Sequence, residues 1–170
     1  MFFLSKITGR RIHGKKGNFV GTLKDFTISL QDGYAPVTGL IVRSNTGSEI
    51  RIPLKSVSSI EESQILLSIS RDEVKNIPKP EHDICLAKDI MDKQIFDTED
   101  RKLIRVQDIQ LARMEGILKA VAVDVSLRAI VRRAGLEMFV SGFKERLQPK
   151  LIDWKNLSFL GVDEHDIKLR

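Results

Sequence analysis

The sequence predicts a mainly β protein built as two tandem copies of one small barrel-like module, with a helical insertion in the second copy. Three observations predict it: a hydrophobic pattern recurs along the chain, short apolar runs alternate with turn-forming residues, and the composition is that of a globular protein. The recurrence begins without gaps. Ile7-Thr8-Gly9-Arg10-Arg11-Ile12 lies over Ile90-Met91-Asp92-Lys93-Gln94-Ile95 at an offset of 83 residues. The same offset joins Val20 to Leu103, Leu23 to Val106, Asp25 to Asp108 and Ile28 to Leu111. Val37-Thr38-Gly39-Leu40-Ile41-Val42 then matches Leu118-Lys119-Ala120-Val121-Ala122-Val123 at an offset of 81, which implies a shorter loop. Ile52-Pro53-Leu54-Lys55-Ser56-Val57 matches Ile152-Asp153-Trp154-Lys155-Asn156-Leu157 at an offset of 100, so the second copy carries 19 additional residues.

Residues 19–30 and 37–42 are apolar or β-branched runs, separated by the turn chemistry of Gln31-Asp32-Gly33-Tyr34-Ala35-Pro36. After a turn at 43–48 come a strand at 49–52 and a further pair at 57–60 and 64–68. Ser70-Arg71-Asp72-Glu73 has the form of a helix capping box, and Pro78-Lys79-Pro80 stops any helix that follows. The predicted organisation is a first module over 1–77, a linker over 78–83 and a second module over 84–170. The insertion occupies about 126–148, where Leu127, Ile130, Val131 and Ala134 recur at helical spacing and a second helical run is read at 136–147. The duplicated pattern predicts two β cores, one in each copy, and the short linker predicts that the copies pack together.

Composition bounds the class of protein. Hydrophobic residues are 42% and charged residues 30% of the 170, which suits a chain that buries a core without staples. The single cysteine, Cys85, has no partner for an internal disulfide, so a reducing, cytoplasmic location is expected. No apolar stretch approaches the roughly 20 residues of a membrane-crossing helix, and the N-terminus turns basic too early for a signal peptide. Net charge is +5 and sits in residues 1–80, which hold 12 Lys and Arg against 7 Asp and Glu, whereas residues 81–170 hold 16 of each sign. That mixed distribution reads as a solvated surface rather than a nucleic-acid footprint.

Leu4-Ser5-Lys6-Ile7-Thr8-Gly9-Arg10, Gly17-Asn18-Phe19-Val20-Gly21-Thr22-Leu23-Lys24-Asp25, the run at 37–42 and Ile52-Pro53-Leu54-Lys55-Ser56-Val57 together resemble a PRC-barrel domain. The second copy departs from the pattern, with Asp100 where Gly17 stands and Arg101-Lys102 where Asn18-Phe19 stand. The tandem, with Ala122-Val123-Asp124-Val125-Ser126-Leu127-Arg128 leading into the insertion, is similar to the N-terminal region of proteins in which two PRC-barrels precede an MgtE-type domain and CBS domains. That resemblance covers nearly the whole chain. It implies association with magnesium transport and a sequence that is the N-terminal part of a longer protein.

Candidate chemistry is sparse. His13, His82 and His165 lie in or beside predicted turns and read as surface histidines, Cys85 as a small buried hydrophobe, and no enzymatic role is expected. No cofactor is expected either. Asp163, Glu164 and Asp166 could offer oxygens to a hard cation, although a solvated tail is the simpler reading. Asp25 and Asp108 recur at one strand position and read as structural carboxylates bonding backbone amides. Arg128, Arg132, Arg133, Lys144 and Arg146 form the expected docking surface, because the barrel fold does not require the insertion that carries them. The expected function is a non-catalytic cytoplasmic regulatory or adaptor module that binds protein domains, MgtE-type and CBS domains among them, with the membrane reached only through a partner. A homodimer is counted among the expected partners, and the alternative function is an RNA-processing or ribosome-maturation factor of PRC-barrel type, with RNA as its partner.

Overall fold

The structure is a computed structural model that describes residues 1–61, 63–134 and 150–159. Strands account for 49% of the described residues against 17% helix, and the sheets curl into a half-barrel, so the fold is mainly β. The first copy runs β1 (Phe2–Phe3), α1 (Leu4–Ile7), β2 (Arg11–His13), β3 (Phe19–Ser29), β4 (Ala35–Ser44), β5 (Glu49–Pro53), a 3-10 turn, β6 (Val57–Ile60) and β7 (Gln64–Leu67). The second runs β8 (Asp83–Cys85), a five-residue π-turn (Leu86–Ile90), β9 (Gln94–Asp97), β10 (Lys102–Arg105), β11 (Asp108–Met114), β12 (Ile117–Asp124), α2 (Leu127–Arg133), β13 (Leu151–Asp153), a 3-10 turn and β14 (Leu157–Ser158). The capping-box sequence makes a single 3-10 turn, Arg71–Glu73, in which the Ser70 N–H donates to Glu73 Oε2 at 2.7 Å.

The repeat is visible bond by bond. Leu23 N–H donates to the Arg10 carbonyl and Gly9 N–H to the Leu23 carbonyl; Val106 N–H donates to Lys93 and Asp92 N–H to Val106, the same two bonds 83 residues on. Gly9 has φ +84, the left-handed region that glycine enters without steric cost, and its counterpart Asp92 holds that region at φ +64. The hairpin of the second copy closes as well. Gln94 to Asp97 pair with Arg105 to Lys102, Asp97 Oδ1 accepts from the Glu99 and Asp100 N–H groups, and Arg101 takes the left-handed turn position.

Pairing corrects one alignment. Ile28 faces Val37 across β3 and β4, and Leu111 faces Ala120 across β11 and β12, so the offset of 83 continues through the second long strand instead of falling to 81. The insertion is shorter by two residues in consequence. From β5 to β13 the offset is 100 as expected, since Leu40 pairs with Ile52 and Val123 with Ile152.

The copies complete each other. β1 of the first copy adds to β11 of the second, with Phe2 opposite Leu111 and Phe3 opposite Gln110. β8 of the second adds to β3 of the first, with Ile84 opposite Ile28 and Cys85 opposite Thr27. Between these exchanges β4 and β12 run antiparallel, and Pro36 faces Lys119, its own repeat mate at the offset of 83, so the local pseudo-twofold axis passes there. The expectation of two separate cores is therefore corrected: Leu4, Ile7, Phe26 and Leu40 share one buried cluster with Leu86, Ile90, Ile109 and Trp154. Eleven strands form a branched sheet along the path β1-β11-β12-β4-β3-β2-β7-β6, with β13, β5 and β8 attached, while β10, β9 and β14 form a smaller one.

One glycine shows how the copies diverge. A Cβ on Gly21 would stand 2.4 Å from the Arg43 carbonyl oxygen, because β4 extends to Ser44 alongside it. Its counterpart in the second copy is Ile104. There β12 ends at Asp124 and the chain turns into α2, so a side chain is accommodated.

Candidate functional site: the helical insertion and the clasp beneath it

The insertion is closed at its base by the Val125 N–H, which donates to the Lys150 carbonyl at 3.0 Å. Ser126 caps α2 by accepting from the Ala129 N–H at 3.3 Å, as a hydroxyl at that position does well. The remaining insertion residues, 135–149, lie outside the described residues, as do the second helical run and the docking candidates Lys144 and Arg146. Arg128 lies on α2. Residues 163–166, with the metal candidates Asp163, Glu164 and Asp166, and His165 are also outside the described residues.

Arg132 faces inward and is 7% exposed. Its Nε donates to Asp108 Oδ2 at 3.0 Å, and its terminal nitrogen lies 2.9 Å from both Asp108 Oδ2 and Asp124 Oδ2. Its guanidinium carbon sits 3.6 Å from the ring centroid of Phe3, on the exchanged strand of the other copy. Asp108 also accepts from the Ile109 N–H at 2.8 Å, the Ser5 N–H at 3.2 Å and the Ser5 hydroxyl. The docking role expected of Arg132 does not fit this placement. A cation held between two fully buried carboxylates offers nothing to a partner, and its removal would leave uncompensated charge in the interior. Arg133 is at the surface, bonded to both oxygens of Asp92 at 2.7 and 2.9 Å and to the Gln107 carbonyl at 3.2 Å. The pair holds the Asp92 carboxyl below its ordinary range and raises the guanidinium.

A matching clasp stands in the first copy. Asp25, at the bulge between Leu23 and Asp25 in β3, accepts from the Phe26 N–H at 2.7 Å and reaches across to the Ala87 and Lys88 N–H groups at 2.8 and 3.0 Å. The bulge re-aims the carboxylate out of the ladder. Each repeated aspartate therefore caps the first turn of the opposite copy: Asp25 caps the π-turn after β8, and Asp108 caps α1. Burial pushes the Asp25 carboxyl up to about 6, against the three backbone bonds that lower it. Beside this clasp the buried Arg51 donates to Asp83 Oδ2 at 3.2 Å and to Thr27 Oγ1 at 3.4 Å, and Thr38 also donates to Asp83.

Sequence reasoning singled out Asp25 and Asp108 as structural carboxylates, and they are. It missed Arg51, Asp83 and Asp124. The usable signal was a charge inside an apolar run, as in Val123-Asp124-Val125 and Ile50-Arg51-Ile52, since a buried charge demands a partner of opposite sign. Cys85 is buried in β8, and burial pushes its thiol up to about 11. His13 packs edge-on to Phe19 at 6.0 Å between ring centroids. Among the described residues, no group of three or more His, Cys, Asp and Glu side chains is arranged to hold a metal, and no helix is long and apolar enough to cross a membrane.

α2 also exposes two large apolar side chains. Leu127 is 70% and Ile130 44% exposed, while Ala129 between them is fully buried. No model of a known protein family matches this chain, and no curated protein matches it.

Proposed function

We propose that this chain is a non-catalytic adaptor module of PRC-barrel type that docks onto another protein domain through the outer face of the second copy's insertion. The observation that carries this reading is the two-sided construction of α2: a buried ion-pair clasp fixes its inner face, and Leu127 and Ile130 stand exposed at helical spacing on the other. A rigidly held helix with apolar anchors at i and i+3 is what groove recognition of a helix uses. The resemblance of the tandem copies supplies the partner class, an MgtE-type intracellular domain with its CBS domains, acting in the cytoplasm at the inner face of a membrane. The test is a binding titration of the chain against such a purified domain. Saturable binding that Leu127→Asp/Ile130→Asp weakens at least about tenfold, or about 1.4 kcal/mol, supports the reading. Absent binding, or binding that the double variant leaves unchanged, contradicts it.

A second reading, an RNA-processing or ribosome-maturation factor, is favoured by one observation: Arg11, Lys15 and Lys16 are exposed together around the β2–β3 hairpin, in the half that holds the charge excess. RNA binding through that hairpin falls steeply with salt and weakens in Lys15→Glu/Lys16→Glu. Docking through α2 does neither.

A further inference from the structure

The bonds between the copies join elements of different copies in both directions. β1 pairs with β11 and β8 with β3; Asp108 caps α1 and Asp25 caps the π-turn; β4 and β12 meet on the local axis. None of these bonds depends on the copies belonging to one chain. Covalent continuity runs only through the segment between the end of β7 at Leu67 and the start of β8 at Asp83, and residues 75–82 of it are exposed. Arg51 holds that segment against β5: its N–H donates to Asn76 Oδ1 at 3.0 Å, its carbonyl accepts from the Ile77 N–H at 3.1 Å, and its guanidinium pairs with Asp83 just beyond.

We propose that a second molecule of this chain can replace the chain's own other half, giving a homodimer in which β8 of each molecule pairs with β3 of its partner. The Arg51 backbone contacts to Asn76 and Ile77, which lie in the tether itself, bias the balance toward the closed monomer. Exchange of identical elements remakes the contacts already present in the monomer, so it introduces no new interface. What favours closure is the high effective concentration that a short tether gives one half at the other, and a tether too short to span the site abolishes that advantage.

The test starts from the full chain. Equal amounts of unlabelled and 15N-labelled protein are unfolded together, refolded at increasing concentration, diluted and weighed by native mass spectrometry. Dimers of mixed mass that survive dilution are expected, and at low conversion a tenfold rise in refolding concentration raises the dimer-to-monomer ratio about tenfold by mass action. Monomer alone at every concentration, or dimers that fall apart on dilution as a surface contact would, overturns the proposal. Deletion of residues 78–80 is the second arm. A dimer with the circular dichroism of the parent supports the proposal and a folded monomer overturns it; if that variant does not fold, the refolding of the parent chain decides alone.

Discussion

The two clasps are built on the same carboxylate and stabilise it by different means. Asp25 is met, among the described residues, by three backbone N–H groups, and its burial outweighs them. Asp108 is met by backbone and hydroxyl donors and also by Arg132, which serves Asp124 as well. The cation comes from the insertion that only the second copy carries. The difference shows that α2 has a structural role before any docking role: its Arg132 pairs with two buried carboxylates and lies over Phe3 on the strand exchanged from the first copy. The first copy does without a helix there and bears the desolvation of Asp25 directly.

The comparison breaks most sharply at Arg132. Arg132→Met leaves two buried carboxylates without their cation, and a loss of about 3–5 kcal/mol in urea denaturation is expected. Adding Asp108→Asn recovers part of it. A loss below about 1 kcal/mol would show that the clasp is hydrated and contributes little.

The next effect concerns Asp25 and is a matter of pH. Its folded pKa, about 6, lies above the ordinary value of 3.8. The folded state therefore binds the proton more tightly, and the Asp25 contribution to stability falls as pH rises from about 4 to about 6, remaining unfavourable above that. Asp25→Asn flattens this part of the stability–pH profile, and relative to the parent it gains about 2 kcal/mol between pH 4 and pH 7. A difference between variant and parent that stays constant with pH would remove the burial argument.

The smallest effect is at the surface. Arg133→Ala breaks the pair with Asp92 and costs about 0.5 kcal/mol at low salt, shrinking as salt rises. Asp92→Gly restores the residue that the first copy uses at that left-handed position, so relief of backbone strain offsets the lost pair and thermal stability stays close to that of the parent.

Much of this arrangement was legible in the sequence. The offset of 83, the helix at the start of the insertion and the backbone-bonding role of Asp25 and Asp108 follow from the apolar pattern and one recurring carboxylate. The misplacement of the second long strand has a physical cause: 81 and 83 differ by two residues, the side-chain period of a strand, so both registers bury the same face. The exchange of β1 and β8 was not legible for a related reason. A period of two says which face of a strand is buried and is silent about which strand lies beside it. Asp83 escaped notice because it looks like an ordinary charge at the end of the linker until the fold brings it to Arg51.

Hydrogen exchange measured on Asp25→Ala and Asp108→Ala tests the crossing of the two copies most directly. If each aspartate caps the other copy, Asp108→Ala deprotects the amides of residues 2–7 and leaves 84–90 protected, while Asp25→Ala does the reverse. Loss of protection confined to the mutated aspartate's own copy, at 84–90 for Asp108→Ala and at 2–7 for Asp25→Ala, would contradict the exchange.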